Sequence, residues 1–255
     1  MSSTHVLAVA NQKGGVAKTT TVASLGAALA DLGQKVLLID LDPQACLTFS
    51  LGIDPEDLDI SVHHVLTKGL DPSEAIIETE DGVDLLPATI ELARAESDLL
   101  TRTGREYVIR TAVEDTEGYD WVLLDCPPSL GVLTVAALTA ATGVLIPLQC
   151  ETLSHRGVGQ LLDTVHDVKR FTNRDLVVWG VLPTLYDGRT NHARAVLDNI
   201  SETYELAVIE PPIPKTIKFA EAPAAGRSIL ATSRSSKGAQ AYREVAGNLM
   251  KRAAR

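Results

Sequence analysis

The sequence predicts an α/β fold in three layers: a doubly wound, mostly parallel sheet with helices on both faces. Short runs rich in Val, Leu and Ile alternate with helical patterns along the chain, which is typical of right-handed βαβ units. Aromatic residues make up only 4% of the chain, whereas hydrophobic residues make up 45%. The core is therefore mostly aliphatic, as expected for parallel strands that are buried on both faces.

Six apolar runs are the clearest strand candidates, and a shorter run at Ala207–Ile209 is a seventh. The predicted strands are Val6–Ala10, Lys35–Asp40, Val83–Pro87, Trp121–Asp125, Gly143–Leu148 and Val177–Leu182. The predicted helices are Thr19–Leu32, Ile90–Leu100, Glu106–Thr116, Leu130–Thr139, Gly157–Arg170, Asn191–Tyr204 and Ala239–Lys251. No low-complexity linker divides this pattern, so we predict one domain over residues 1–255. We expect the acidic segment Gly52–Asp84, which shows little periodicity, to be a surface excursion between two strands.

Charge is distributed unevenly along the chain. The net charge is −10, yet residues 1–150 carry 8 basic and 22 acidic side chains, whereas residues 215–255 carry nine basic and two acidic ones. The overall acidity argues against binding nucleic acid on every face, but the basic C-terminal stretch permits a local interface.

The chain is expected to be cytoplasmic. Its three cysteines show no CxxC spacing, which favours a reducing compartment, and its first residues do not resemble an export signal. The uncharged segment 127–149 contains Gly143 and Pro147, which divide it. We interpret it as a buried helix over Leu130–Ala141 and a strand, and not as a membrane span.

A phosphate-binding loop is predicted between the first strand and the first helix. The stretch that follows the strand is Asn11-Gln12-Lys13-Gly14-Gly15-Val16-Ala17-Lys18-Thr19-Thr20. A strand, a glycine-containing turn and a helix start place several backbone N–H groups around one concavity, and the helix dipole favours an anion there. Lys18 can reach the β- and γ-phosphates of a nucleotide, and the Thr19 hydroxyl can be a ligand of Mg²⁺.

Two further apolar strands end in carboxylates. Asp40 and Asp42 follow Val36-Leu37-Leu38-Ile39, and Asp125 follows Trp121-Val122-Leu123-Leu124. Ligands of an open α/β sheet collect beyond the carboxyl ends of its strands. These three acidic side chains are therefore predicted to lie near the phosphate loop.

These motifs resemble the ParA family of P-loop NTPases. The loop fits KGGxxK[ST]T, the deviant Walker A motif shared by ParA, MinD and nitrogenase iron proteins, and it does not fit GxxxxGK[ST]. The resemblance implies ATP and Mg²⁺ as cofactors, bound by Lys13, Gly14, Gly15, Val16, Ala17, Lys18, Thr19 and Thr20. It also implies that Lys13 crosses the interface of an ATP-bound homodimer to reach the partner's nucleotide. Ala17 stands where glycine is more common, so a positive φ there costs about 1–2 kcal/mol.

The resemblance also implies roles for the acidic residues. Asp40 lies in a VLLIDxDPQ element and helps position the attacking water, with Asp42 in support. Asp125 lies in a Walker B strand and continues into DCPPSLG. The implied catalytic residues are Asp40, Lys13 and Lys18, and the implied metal site consists of Thr19, Asp40 and Asp125. Cys126 is expected to pack in the core. With no evident arginine finger, slow intrinsic ATP hydrolysis is expected, accelerated by a ParB-like activator.

The C-terminal half extends the resemblance to nearly the whole chain. It contains IPLQCE, VLPTLYDGRT, IPK through EAP, and KGAQAY. Pro183, Thr184 and Pro214 are expected to border the adenine. The resemblance further implies binding of double-stranded DNA without sequence preference, hence a nucleoid-associated location, through basic side chains of this half. The candidates are Arg189, Lys215, Lys218, Arg227, Arg234 and Lys237.

Other functions also fit the sequence. A ParA-like positioner of a protein assembly, or a regulator of replication, fits the sequence almost equally well. A MinD-like membrane-positioning ATPase is disfavoured because the tail from Ala246 to Arg255 contains only one Leu and one Met, too few for an amphipathic membrane helix; no membrane partner is expected. An iron-protein-like electron carrier would need a cysteine pair in other surroundings. Residues 153–157 and 231–233 depart from the family pattern, which leaves the partner's identity undecided.

Overall fold

A computed structural model of the chain describes residues 4–151 and 154–253. Its strands are β1 (His5–Val9), β2 (Val36–Asp40), β3 (Ile77–Glu78), β4 (Asp84–Leu86), β5 (Trp121–Asp125), β6 (Gly143–Gln149) and β7 (Val177–Thr184). These strands form one sheet in the order β3-β4-β2-β5-β1-β6-β7. Every pairing is parallel except β3 with β4, so the predicted fold class is confirmed.

Helices cover both faces of the sheet. They are α1 (Lys18–Asp31), α2 (Cys46–Ser50), α3 (Val62–Lys68), α4 (Leu92–Leu99), α5 (Val108–Glu114), α6 (Val132–Ala140), α7 (Ser154–Phe171), α8 (Asn191–Tyr204), α9 (Lys218–Ala224), α10 (Ile229–Thr232) and α11 (Lys237–Ala253). Short 3₁₀ turns lie at Pro55–Asp57, Pro72–Glu74 and Arg105–Tyr107.

Successive residues of each strand point to opposite faces and build two separate cores. On β2, Leu37 and Ile39 face the core that α3 to α8 cover, whereas Leu38 faces the core that α1, α2 and α9 to α11 cover. Gly26 of α1 permits a close approach to the sheet, because a Cβ there would lie 2.7 Å from a methyl carbon of Leu38. This packing holds the middle of α1 close against β2.

The segment 52–84 is more structured than its sequence indicated. It connects β2 to β4 as expected, but it also contains α3, whose Val62 and Leu66 are buried in the core, and the antiparallel edge strand β3. A helix of seven residues offers too few turns for a readable hydrophobic period. The run at 207–209 forms only an isolated bridge, from Val208 to Val181.

The uncharged stretch 127–149 divides as predicted into α6 and β6. Both elements are packed inside the molecule, and most of their side chains are buried. Among the described residues, no helix has the length and apolarity that are needed to span a membrane.

The order of the strands creates a crevice at the carboxyl end of β1. The chain leaves β1 toward β2 on one side, and later places β6 on its other side. Such a reversal of strand order opens a ligand-binding crevice beyond the strand ends. The connection from β1 to α1, which holds the predicted phosphate loop, lies at this point.

Candidate functional site

The loop between β1 and α1 has the backbone shape of a phosphate cradle. Gly15 and Ala17 both adopt left-handed conformations, with φ values of 75° and 63°. Ala17 is the N-cap of α1, and no side chain caps that helix terminus. The first N–H groups of α1 are thus left for another acceptor, and a helix N-terminus favours an anion. A Cβ built on Gly14 or Gly15 would meet no atom within 4 Å, so the space in front of the loop is open.

Hydrogen bonds from distant strands hold the loop in this shape. The Asn11 side chain donates to the Pro147 carbonyl at 2.8 Å and accepts from the Lys13 N–H at 3.0 Å. The Thr184 hydroxyl donates to the Val16 carbonyl at 2.9 Å. The sequence did not indicate a role for Asn11, because its partner Pro147 is 136 residues away.

The two lysines of the loop differ in their surroundings. Lys18 is only 7% exposed, and its Nζ donates to the Lys13 carbonyl at 3.3 Å. Burial lowers the pKa of Lys18, and the charges of Asp125, Cys126 and Asp42 oppose that shift. A phosphate would offer this buried ammonium a stronger acceptor than one long bond to a carbonyl.

Lys13 lies at the mouth of the loop. Its Nζ forms an ion pair with Glu151 at 2.5 Å, and both side chains are partly exposed. Exposed ion pairs contribute only about 0–1 kcal/mol. Lys13 can therefore exchange Glu151 for another anion at little cost.

Asp40 and Asp125 lie side by side at the ends of β2 and β5, where they are register partners. Asp40 has no solvent exposure, and it accepts hydrogen bonds from the Thr48 N–H, the Thr48 hydroxyl and the Asp42 N–H. Burial raises the pKa of Asp40 to about 6, although the hydrogen bonds from Thr48 and Asp42 oppose that shift.

Asp125 has a different environment. It is 1% exposed, and neither carboxylate oxygen has a hydrogen-bond partner among the described residues. Burial, and then the charge of Asp40, raise the pKa of Asp125 well above its usual range, while Thr19 and Lys18 partly offset the shift. A buried carboxylate without a partner is costly, and a cation would satisfy it.

These residues fit Mg²⁺ that arrives with a nucleotide. The described part of the chain contains no group of three His, Cys, Asp or Glu side chains that could hold a metal ion alone. Mg²⁺ usually takes one or two protein oxygens and completes its shell with phosphates and water. The orphaned oxygens of Asp125, close to Thr19, provide such a partial site.

The placement of Asp40 argues against the two direct roles that the sequence predicted for it. Both of its oxygens already accept hydrogen bonds from the protein, whereas those of Asp125 accept none from the described residues. Asp42 is half-buried, and one of its oxygens accepts from the Gln44 N–H at 2.9 Å. Asp42 is thus the more open of these two carboxylates.

Comparison with known proteins agrees with this geometry. A family model described as an AAA domain matches residues 4–178. The chain is 42% identical over 249 residues to the sporulation initiation inhibitor protein Soj of Bacillus subtilis, covering 95% of this chain and 98% of that protein. It is 44% identical over 246 residues to the chromosome-partitioning ATPase Soj of Thermus thermophilus, covering 96% of this chain and 95% of that protein. The chain belongs to the ParA/Soj family of P-loop ATPases.

A solved structure shares the fold at higher identity. It is that of cobyrinic acid a,c-diamide synthase from Mycobacterium smegmatis, with bound ADP and magnesium. Its TM-score is 0.88 at 56% identity, and the match covers 98% of this chain and 95% of that one. The same protein has been solved with an ATP analogue and magnesium. As a ParA/Soj family member, the present chain is a Mg²⁺-dependent ATPase.

The residues predicted to border the adenine of this ParA/Soj ATPase occupy different environments. Thr184 is fully buried, and its hydroxyl is engaged with Val16, so its visible role is to hold the phosphate loop. Pro183 is also buried, and its carbonyl accepts from the Ile213 N–H at 2.7 Å. Pro214 is half-buried and bridges to Tyr186. Contact with adenine stays a prediction.

The basic residues predicted to bind DNA fall into two groups. Arg189, Lys215 and Lys237 are exposed, and no ion pair of theirs occurs within the described ranges. The remaining three, Lys218, Arg227 and Arg234, form intramolecular ion pairs.

Arg227 is the most firmly engaged of these three. Its guanidinium pairs with Asp81 and with Glu80 at 2.8 Å, and donates to the Glu80 carbonyl. These contacts join the turn before β4 to the connection between α9 and α10. They are ordinary structural contacts and weaken the prediction that Arg227 is a phosphate ligand.

The cysteines show no sign of reactivity. Cys126 is buried, and burial raises its pKa well above the usual value for a thiol; burial raises the pKa of Cys150 to about 11. Cys46 is exposed, but partial burial and the charge of Asp42 raise its pKa as well. All three cysteines are free, and the expectation that Cys126 packs in the core is confirmed.

Proposed function

We propose that the chain is a nucleotide-switched positioning ATPase. In this proposal ATP binding drives formation of a homodimer, the dimer binds double-stranded DNA without sequence preference, and a ParB-like activator stimulates hydrolysis and release. The single observation that carries the proposal is the second lysine of the loop, Lys13, at the mouth of the site and held only by a surface ion pair with Glu151. The names of the relatives, including the chromosome-partitioning ATPase Soj, agree with it.

The residues of the site divide the work of hydrolysis between them. The N-terminus of α1 and the Lys18 ammonium bind the phosphates and stabilise the charge that develops on them. Thr19 and Asp125 would hold Mg²⁺, which neutralises phosphate charge when it is bound. Asp42, the more open carboxylate, orients the attacking water, and Asp40 fixes the backbone of Asp42 through its N–H.

Lys13 is the residue that makes a second subunit necessary in this proposal. To reach a phosphate of the partner's nucleotide, its ammonium must leave Glu151. The loss is small because the pair is exposed to solvent, whereas a charge-assisted contact with a triphosphate is strong. ATP therefore favours the dimer, and loss of the γ-phosphate removes the contact that favours it.

The DNA interface is proposed from exposed cations of the C-terminal half. Arg189, Lys215 and Lys237 are the free candidates, with Lys218 and Arg234 in exposed pairs that DNA phosphates can replace. Contacts of this kind bind phosphates and read no sequence. Nucleoid association in the cytoplasm follows as part of the proposal.

Co-sedimentation with DNA tests this function. The protein is mixed with long double-stranded DNA and ATP, ADP or no nucleotide, across a salt series, and pelleted protein is quantified. Retention should require ATP and should fall steeply with salt, since counterion release dominates such binding. Equal retention in all three nucleotide states, or no retention with ATP at low salt, would refute the proposal.

A second candidate is ATP-dependent amide formation, which the name of the 56% identical structure raises. A synthase that takes nitrogen from glutamine needs a nucleophilic thiolate, and the raised pKa of all three cysteines disfavours that chemistry. The two candidates differ in what accelerates ATP turnover: DNA and a ParB-like activator in one, a carboxylic acid with a nitrogen donor in the other. Positioning of a protein assembly, or regulation of replication, would keep the same switch with another cargo.

A further inference from the structure

Thr48 is a buried threonine that contacts Asp40. It lies in α2 and is fully buried. Its N–H donates to Asp40 Oδ2 at 3.0 Å, and its hydroxyl donates to the same oxygen at 2.8 Å. The hydroxyl also accepts from the Ala88 N–H at 3.0 Å. One side chain thus ties the end of β2 to the chain that follows β4.

Asp40 links Thr48 to Asp42 of the site through its two carboxylate oxygens. Thr48 occupies Asp40 Oδ2, and the opposite oxygen, Oδ1, accepts from the Asp42 N–H at 3.1 Å. The orientation of the Asp40 carboxylate therefore decides where the Asp42 backbone lies. Asp42 is partly exposed, and its charge acts on Lys18 of the phosphate loop. A change at Thr48 is therefore transmitted toward the site through two hydrogen bonds.

The local backbone depends on the same contact. The chain turns between Asp42 and α2, and Ala45, the N-cap of α2, has a left-handed φ of 52°. A five-residue helix that begins at a left-handed alanine has little stability of its own. The two bonds from Thr48 to Asp40 hold this helix against the end of β2.

We propose that Thr48 is a positioning residue for ATP hydrolysis, acting through Asp40 on the carboxylate of Asp42. This rests on the proposed role of Asp42 as the group that orients water. None of these hydrogen bonds of Thr48 involves the phosphate loop. A substitution at Thr48 should therefore lower the rate of the chemical step and leave the affinity for nucleotide unchanged. A merely structural threonine would affect stability alone.

The test compares Thr48→Val with Thr48→Ser. Valine keeps the shape and loses the hydroxyl, whereas serine keeps the hydroxyl. We expect Thr48→Val to lower kcat about 10- to 100-fold, the order of loss for small misplacement of a reacting group, with KM for ATP within about 3-fold of wild type. Thr48→Ser should recover most of the rate. Calorimetry with Mg²⁺ and ATP on each variant establishes separately that the nucleotide site is intact.

A matched control is Thr139→Val. Thr139 is also fully buried, and its hydroxyl bonds to the Val135 carbonyl and the Thr172 hydroxyl. It lies near the end of α6, just before β6 begins, and therefore at the amino end of the parallel strands, whereas the phosphate loop lies at their carboxyl end. This variant should lose stability and keep its kcat.

Three results would overturn the proposal. One is an unchanged kcat for Thr48→Val; another is a raised KM with unchanged kcat; a third is a serine variant that is no faster than valine. If Thr48→Val does not fold, Thr48→Cys, with a weaker donor, replaces it and is judged by the same three results. The combination with Asp40→Asn gives a further check, because effects transmitted through Asp40 must be non-additive.

Discussion

At the scale of single residues, the left-handed conformation of Ala17 is expected to lower the stability of the folded chain. The Ala17 φ of 63° is left-handed, and a left-handed alanine is strained in the folded chain. We expect Ala17→Gly to raise the free energy of unfolding by about 0.5–1 kcal/mol. The relief of a left-handed alanine, about 1–2 kcal/mol, exceeds the extra chain entropy that glycine loses, about 0.5–1 kcal/mol. Urea denaturation measures this change.

Ala45→Gly is the matched control for Ala17→Gly. Ala45 is also a left-handed N-cap, with φ of 52°, but it lies outside the phosphate loop. Both variants should gain stability, and both should bind ATP within about 2-fold of wild type. A large gain in ATP affinity for Ala17→Gly without a gain in stability would show that the left-handed turn forms only with nucleotide.

Asp125 is expected to make stability depend on pH. Its folded pKa is raised by burial and by the charge of Asp40 above 3.8, the ordinary value for an aspartate. Between those two pKa values the folded chain binds more protons than the unfolded chain, so this contribution to stability falls as pH rises. We expect Asp125→Asn to stabilise the nucleotide-free chain, and to do so more at pH 8 than at pH 5, because the cost of burial falls on the charged form of Asp125.

Urea unfolding at the two pH values checks this prediction, and Asp175→Asn, at an exposed position, controls for loss of one charge. The same Asp125→Asn variant should lose the Mg²⁺-dependent part of nucleotide binding. A stability gain that is equal at both pH values, or a loss of stability at pH 8, would contradict the assigned environment of Asp125.

At the scale of elements, two glycines join the loop after α2 to the connection between α9 and α10. A Cβ on Gly226, which has φ of 64°, would lie 2.8 Å from the Gly52 Cα. We expect Gly226→Ala to cost at least about 1 kcal/mol more than Gly33→Ala, because the added methyl group must displace backbone. Gly33 has a similar φ of 83° but open space around it. Equal losses in thermal or urea unfolding would show that this contact is loose.

The elements also show how far the sequence alone leads. Strands β1, β2, β5, β6 and β7 were predicted to within two residues because each is a continuous apolar run between turn residues. The short helix α3 was missed, since seven residues contain too little periodicity, and so were α2, α9 and α10 for the same reason.

The motifs of the site could be predicted from the sequence, but the residues that hold those motifs in place could not. Lys13 and Lys18 were identified from local spacing, whereas Thr48, Asn11 and Glu151 act through partners that only the fold brings close. The division of roles between Asp40 and Asp42 depends on burial, which two acidic residues in one turn do not reveal in a sequence.

At the scale of the whole molecule, the basic side chains are concentrated toward the C-terminus. Some of those predicted to bind DNA form intramolecular ion pairs, and others form none within the described residues. We expect Arg189→Glu to lower retention on DNA in the presence of ATP by at least about 10-fold and to reduce the salt dependence, while ATP affinity stays unchanged, because a phosphate contact is replaced by repulsion. The co-sedimentation assay measures retention, and calorimetry measures ATP affinity.

Arg174→Glu makes the same change of charge at an exposed site before β7, at the end of the sheet opposite Thr184. It should leave retention within about 2-fold, apart from the effect of net charge. Arg227→Glu should instead destabilise the fold, since Asp81 and Glu80 would lose their partner. Equal losses of retention in Arg189→Glu and Arg174→Glu would move the DNA interface elsewhere.

Binding of Mg²⁺ and ATP at the loop underlies every other step, and isothermal titration calorimetry measures it directly. Titration of ATP into the folded chain with Mg²⁺ should show saturable uptake of one nucleotide per chain, and Lys18→Ala should abolish the signal while circular dichroism shows that the variant stays folded. If folded wild-type protein takes up no ATP, or if Lys18→Ala binds with undiminished affinity, residues 13–20 do not form the nucleotide site.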